Sequence, residues 1–425
     1  MKSCENILHA LRAGACDGAL SALYTGDVRA ARERAAHTVE QFLSLYGNAA
    51  AAALFSGPGR TEIGGNHTDH QHGHVLCGSV DLDILACAAP NGTNTVRVLS
   101  QGYPAVEVSL DSLSPRAEEK NSSAALVRGV AARLTELGCK LSGFDAYAVS
   151  DVLSGSGLSS SAAYEVLIGT IFNHFFCNSA LDAVTIAKAG QYAENVYFGK
   201  PCGLMDQMGS AVGGAVAIDF ADPADPVVAR VDYDFANSGH ALCIVDTGSC
   251  HADLTEDYAD ITREMGAVAA HFGKGFLREV PEADFRGEIK ALRASCGDRA
   301  VLRAMHYYAD DARAVEEAAA LRAGDFDRFL ALVNASGLSS GLLLQNISSP
   351  AAPGEQAVGL ALAMGRELLG GRGAIRVHGG GFAGTIQAFV PKDRLAAFRS
   401  GMEALLGQGT CHVLHIRPLG GCVVI

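Results

Sequence analysis

Between Gly155 and Ala163 the chain reads Gly-Ser-Gly-Leu-Ser-Ser-Ser-Ala-Ala, and a helix-like run from Tyr164 to Phe176 follows directly. Glycines at 155 and 157 let the backbone take positive φ and come close to a ligand. Ser156, Ser159, Ser160 and Ser161 add hydroxyls and caps at a helix start, where the positive end of the helix favours anions. Gly155, Ser156, Gly157, Leu158 and the three serines after them are therefore the candidate cradle for the phosphates of a nucleotide. Taken alone, the segment also reads as a Gly/Ser turn before a capped helix. It is not the Gly-x-x-x-x-Gly-Lys-Ser/Thr loop, because no lysine follows the glycines.

Three further segments carry chemistry. Pro58-Gly59-Arg60 is followed by Asn66-His67-Thr68-Asp69; Pro201-Cys202-Gly203-Leu204-Met205-Asp206-Gln207 and Arg376-Val377-His378-Gly379-Gly380-Gly381-Phe382-Ala383-Gly384 come later. With the Gly155 loop, these ordered motifs resemble the galactokinase branch of the GHMP small-molecule kinases, from about Ala30 to Pro391. The resemblance implies an α+β, two-domain GHMP kinase fold with the active site in the cleft between domains. It implies phosphoryl transfer from ATP to the anomeric hydroxyl of a sugar, with galactose the leading substrate.

Phosphoryl transfer needs held phosphates, a metal to neutralise charge, a cation on the transferring group and a positioned acceptor. By resemblance, Asp206 acts as base toward the sugar hydroxyl, and the turn built by Pro201 and Gly203 carries it off the preceding helix. Arg60 pairs with it and with the γ-phosphate, keeping the carboxylate ionised. The family's Mg²⁺ ligands are the last serine of the loop and a glutamate twelve residues before the aspartate, matching Ser161 and Glu194. Ser160 is the substitute for Ser161, and Ser159 reads as a cap or phosphate donor. Asn66, His67, Asp69, Gly203, Tyr258 and Gly380 fall on the sugar side; Tyr258 lies seven residues after His251, as the family tyrosine does. It also lies on an apolar helical stripe, where an aromatic is ordinarily core.

The acceptor segment departs from the family. Galactokinases usually read Glu-His-Thr-Asp-Tyr there, and this chain reads Asn66-His67-Thr68-Asp69-His70. A charged acceptor has become an amide that also donates. Two places after the arginine, where the family has an apolar residue or Asn, stands Glu62. These changes leave ATP handling intact and open the choice of sugar. Galacturonate is the runner-up, since Asp69-His70-Gln71 resembles plant galacturonokinases, and N-acetylgalactosamine is a related option. Two other classes compete. His70, His72 and His74 on one strand face with His67 and Asp69 would make a transition-metal site in a hydrolase; a non-catalytic sugar sensor would show damage in the loop or at the base, which is absent.

Composition narrows the setting. The chain has 425 residues, 49% hydrophobic, and a net charge of −13 without a basic cluster, which argues against nucleic acid or an anionic membrane as partner. The partners expected are ATP and a small-molecule sugar. Polar residues interrupt the N-terminus where a signal peptide needs an apolar core, and twelve scattered cysteines without a Cys-x-x-Cys pair fit reduced thiols. The location expected is cytoplasmic.

Several elements must position these groups. Residues 1–47 have helical spacing, and 1–28 form an extension with no assigned role; 29–225 make an N-terminal kinase domain with the sugar signature and ATP loop, and 226–425 a C-terminal domain. Strand-like runs cover Val75–Ala88, Val96–Leu99, Val106–Leu110 and Phe144–Leu153. Ser179-x-x-Asp182 looks like a capping box for a helix reaching Phe198 and stopped by Gly199 and Pro201. Leu254, Tyr258, Ile261, Met265, Val268 and Phe272 mark an amphipathic helix ended by Gly273. Asp222-Pro223-Ala224-Asp225-Pro226 reads as a hinge or loop near the domain divide.

Overall fold

The structure is a computed structural model and describes residues 2–152, 157–200, 202–249 and 254–425. Two sheets organise the chain. The larger contains β1 (Ala53–Gly64), β2 (His74–Pro90), β3 (Thr95–Ser100), β4 (Val106–Ser109), β5 (Phe144–Ser150), β6 (Ala215–Asp219) and β7 (Val227–Val231). The smaller is built from β8 (His240–Asp246), β9 (Ala374–Val377), β10 (Thr385–Pro391) and β11 (Cys411–Leu414), in the order β11-β8-β10-β9. The last strand, β12 (Cys422–Val423), returns to the large sheet beside β1, giving the order β12-β1-β2-β5-β3-β4, with β6 and β7 added along β2. Pairing is antiparallel except between β3 and β5.

The strand runs expected from Val75 onward correspond to β2 through β5. β1 is the addition: a strand written Ser56-Gly57-Pro58-Gly59-Arg60, buried along its whole length. Its glycines are needed because β1 lies hard against the helix Ser160–Phe176. A Cβ at Gly57 would stand 2.4 Å from the carbonyl oxygen of Ala163. That helix is buried from Ala162 to Asn173 on every side, so it is a core helix, not an amphipathic one. Register shifts between Pro58 and Arg60 and between Glu62 and Gly64 bend β1 where its side chains enter the site.

Strand alternation divides the core. Phe55, Ala86, Ala88, Ala146 and Ala148 face the main cluster with Val127, Leu167 and Phe172. Leu54, Leu85, Cys87, Tyr147 and Val149 point to the opposite face, covered by the helices Cys4–Arg12, Asp17–Leu23 and Val28–Tyr46. The N-terminal extension is thus the outer layer of the large sheet. Tyr24 donates to Asp83 at 2.7 Å and Thr25 to Asp81 at 2.8 Å, pinning its end. Asp83 is fully buried; burial disfavours its charge, but Arg34 and Arg417 hold it below the usual carboxylate range.

Three expectations are corrected or narrowed. The helix after Ser179 begins at Ala183, capped by Asp182, whose carboxylate accepts from the Thr185 amide at 2.7 Å; Ser179 has φ 53 and takes no part in the cap. Asp222 to Pro226 are the loop of the β6–β7 hairpin, tied by Asp222 accepting from Ala224 at 2.9 Å, so of the two readings, hinge or loop, the structure shows the loop. Ser159 precedes the core helix with φ 56, but its hydroxyl goes to Asp206 instead of to the first-turn amides. No helix among the described residues is long and apolar enough to cross a membrane.

Candidate active site

Arg60 comes off the bent part of β1, with its backbone N–H held by the Leu158 carbonyl at 3.1 Å. Its guanidinium donates to the Gly157 carbonyl and, through Nε and Nη2, to Asp206 Oδ1 at 2.8 and 2.5 Å. Asp206 stands in the first turn of the helix Met205–Val212, where the helix dipole favours a negative charge. Ser159 donates to its other oxygen. Burial would raise the Asp206 carboxyl, but Arg60 and the Ser159 hydroxyl hold it below the usual carboxylate range. The Arg60 side chain is 6% exposed and that of Asp206 31%, so a buried cation presents a carboxylate that solvent and substrate can reach.

Gly157 has φ 71, and a Cβ there would meet Nδ1 of His378 and Oγ1 of Thr385 at 3.0 Å. The loop and the C-terminal glycine segment therefore meet through a residue that must be glycine. Gly157, Leu158, Ser159, Ser160 and Ser161 run directly into the core helix; Gly155 and Ser156 lie outside the described residues. Ser161 donates to Glu194 at 3.2 Å. Glu194 sits on a π-helical turn, Ala193–Phe198, which widens the helix where this carboxylate must turn toward the loop. The Gln207 amide divides its two N–H groups between Glu194 and the fully buried Glu165, both at 2.9 Å. Burial first, and then the neighbouring Glu194, push the Glu165 carboxyl well up, toward its neutral form.

On the acceptor side, Gly203 abuts Asp69: a Cβ at 203 would stand 2.1 Å from Asp69 Oδ2. His67, at φ 61, bonds the Gly380 carbonyl through Nε2 at 2.9 Å, and burial and the nearby His70 push its pKa down to about 3. Its ring stacks beside Tyr258 with centroids 6.5 Å apart, and Tyr258 donates to the Gly381 carbonyl at 3.0 Å. Gly380 fits under that tyrosine because a Cβ would approach Cε1 to 2.5 Å. Tyr258 thus packs on the apolar stripe while touching His67 and the Gly380–Gly381 turn. Its phenol is pushed up to about 12 by burial.

Asn66 requires a correction. It is 0% exposed, and its side chain is spent within the protein. Nδ2 donates to Glu62 at 3.0 Å and to the Gly379 carbonyl at 2.7 Å, while Oδ1 accepts from Ser340 at 3.2 Å and Asn346 at 2.9 Å. No capacity remains for a sugar hydroxyl. The histidine cluster also disperses. His70 lies in a 3-10 turn, His72 has φ 60 and stacks on Phe276, and His74 opens β2 between Asp219 and Asp311. Among the described residues no group of three or more His, Cys, Asp or Glu side chains is arranged to hold a metal. Arg376 and His378 lie in the glycine motif, but no spacing in the sequence marks what they bond. His378 Nε2 accepts from the Glu62 amide at 3.3 Å, and Arg376, fully buried, bonds Glu62 at 2.6 Å. Gln207 was likewise visible only as the residue after Asp206.

Residues 125–214 match the GHMP kinases N terminal domain, and residues 40–90 the galactokinase galactose-binding signature. A galactokinase of Streptomyces coelicolor is 32% identical over 376 residues, covering 87% of this chain and 93% of that protein. The crystal structure of Lactococcus lactis galactokinase complexed with galactose is similar in fold, with a TM-score of 0.77 at 23% identity over 92% of this chain and 99% of that one. L. major mevalonate kinase in complex with R-mevalonate aligns with a TM-score of 0.57 at 15% identity, covering 86% and 96% of the two chains.

Proposed function

The chain belongs to the galactokinase family of GHMP kinases and is a sugar phosphotransferase that uses ATP; from that premise we propose that it moves the γ-phosphoryl group of ATP to the anomeric hydroxyl of galactose. The observation that carries this reading is the Arg60–Asp206 pair closed over the phosphate loop. Arg60 joins the Gly157 carbonyl to the Asp206 carboxylate, so one cation spans the donor and acceptor sides.

In this reading Gly157 to Ser161 cradle the phosphates with backbone amides and hydroxyls. Asp206, ionised at neutral pH, accepts a hydrogen bond from the anomeric hydroxyl and orients its oxygen toward the γ-phosphorus. A carboxylate held below its usual range is a weak base. Its part is therefore to position the oxygen and take the proton as the new O–P bond forms and the bond to the ADP oxygen breaks. Arg60 offsets the charge that spreads over the phosphoryl oxygens. Ser161 and Glu194 suit Mg²⁺: a hydroxyl and a carboxylate, both hard oxygen donors, lie together at the loop's helix. A bound Mg²⁺ would neutralise phosphate charge there.

Asp69, His67, Gly203, Gly380 and Tyr258 form the proposed acceptor wall. Galactose is preferred over galacturonate because Asn66, one of the two grounds for the charged sugar, has its hydrogen bonds taken up within the protein, and Asp69 beside Gly203 would face a uronate as a like charge. The test is ATP turnover with galactose, N-acetylgalactosamine, galacturonate, arabinose and glucose, with the product's phosphate position read by NMR. Galactose 1-phosphate formed at the highest kcat/KM is the expected result. Absence of turnover with galactose, or a preference for galacturonate, overturns the reading.

A further inference from the structure

We propose that Glu62 and Asn66 are a coupled pair that positions the Gly379–Gly381 turn against the acceptor site. This deepens the kinase reading above and rests on it. The two side chains bond each other at 3.0 Å, the Asn66 amide donating to the Glu62 carboxyl.

The hydrogen-bond inventory shows why neither residue moves alone. Glu62 is 3% exposed and is the carboxylate of Arg376, which is 0% exposed. A neutral group at 62 leaves that guanidinium without its counter-charge. Asn66 donates twice, to Glu62 and to the Gly379 carbonyl, and accepts twice. A carboxylate at 66 has no N–H to give. It would lose the Gly379 bond and set a second carboxyl group against Glu62, whose own carboxyl burial already pushes up to about 7, in a site closed to water. The turn depends on the same inventory. Asn346, which donates to Asn66, also donates to the Gly380 carbonyl at 3.1 Å, and its own carbonyl receives the Phe382 N–H at 2.5 Å. Gly380 in turn lies under Tyr258 and carries the carbonyl bonded by His67. Glu62 and Asn66 are therefore positioning residues, acting through the glycine turn.

Isosteric variants test this: Glu62→Gln, Asn66→Asp, and the two together, each assayed for sugar KM, ATP KM, kcat and melting temperature. Asn66→Asp is expected to raise the sugar KM about tenfold or more while the ATP KM stays within about twofold. The double variant is expected to recover the part of that loss that comes from two facing carboxyls, though not the Gly379 bond, and to melt above Asn66→Asp. If Asn66→Asp is insoluble, a soluble double variant is the same recovery. Sugar KM values that multiply and melting shifts that add overturn the pairing, as does a double variant that fails to fold. The melting temperatures need no substrate, so a wild-type protein inactive on galactose would sink the kinase reading and leave the pairing separately judged.

Discussion

Asp206→Asn keeps the shape of the side chain and removes one charge, and the structure separates what it does to stability from what it does to rate. The lost carboxylate takes two N–H groups of Arg60, at 2.8 and 2.5 Å. With charge centres about 4 Å apart and an effective dielectric constant of about 20, the gross attraction is about 4 kcal/mol. Asp206 is 31% exposed, so screening reduces the net loss of stability to about 1–3 kcal/mol. The kinetic effect is larger: loss of a group that positions and receives the proton lowers kcat by about 10²–10⁴, or about 3–5 kcal/mol of barrier. The assay is steady-state ADP release with saturating ATP and galactose at 25 °C, alongside calorimetric titration of the nucleotide and thermal unfolding. Nucleotide affinity is expected to stay within about threefold of wild type while kcat collapses. A kcat within about threefold of wild type would refute the assigned role, and a kcat lost only in proportion to unfolded protein would reduce the pair to a structural salt bridge.

Ser161→Ala and Glu194→Gln should each raise the Mg²⁺ concentration giving half-maximal activity, since each removes a hard oxygen or its charge; an unchanged Mg²⁺ titration in both would move the site, with Ser160 next. Gly203→Ala drives a methyl against Asp69 and should raise the sugar KM by about tenfold or more with ATP KM unaltered, a pattern checked by varying each substrate in turn. His67, His306 and His378 are buried with pKa values depressed chiefly by burial, that of His67 to about 3. Groups depressed in the folded state take up protons on unfolding. Their stability contribution is whole above the unfolded value of about 6.5 and falls below it by up to about 1.4 kcal/mol per pH unit for each histidine. Glu62, Glu165 and Glu317, pushed up by burial, give a slope of opposite sign over the same range, so urea unfolding at pH 7.5, 6.0 and 5.0 is compared between wild type and His306→Asn: the variant should lose less stability than wild type toward pH 5, and an identical slope would contradict the assignment.

What the sequence discloses depends on how far apart the partners lie and what pattern they leave. Arg60 and Asp206 are far apart in the chain, yet each sits in a motif whose neighbours, Gly59 and Gly203, show local backbone demands. The strands β2 to β5 are legible because β-branched and apolar runs end in Gly, Pro and Asn turns. β1 is not: no strand-like run is assigned at Gly57, Pro58 and Gly59, and their use appears only when the helix Ser160–Phe176 is laid against them. Asn66 misleads for a related reason. Asp310, Ser340, Asn346 and Gly379, which consume its hydrogen bonds, all come from the other half of the chain, and no local spacing announces them. At Ser179 two caps compete locally, and Asp182 wins because Ser179 is turned into the left-handed region.

The return of β12 to the edge of β1 has a consequence for biosynthesis. Phe55 pairs with Val423 and Ser56 with Cys422, while Arg417 reaches the buried Asp83 at 3.2 Å and Gly421 bonds the Ser210 carbonyl at 3.1 Å. A polypeptide growing on the ribosome therefore carries the Arg60 strand with an open pairing edge, and Asp83 short of one counter-charge, until residues 417–423 have emerged. Prematurely released chains lack that closure however much of the catalytic machinery they contain. Chains released before residue 417 are expected to be cleaved by protease faster than the full chain in a limited-proteolysis comparison.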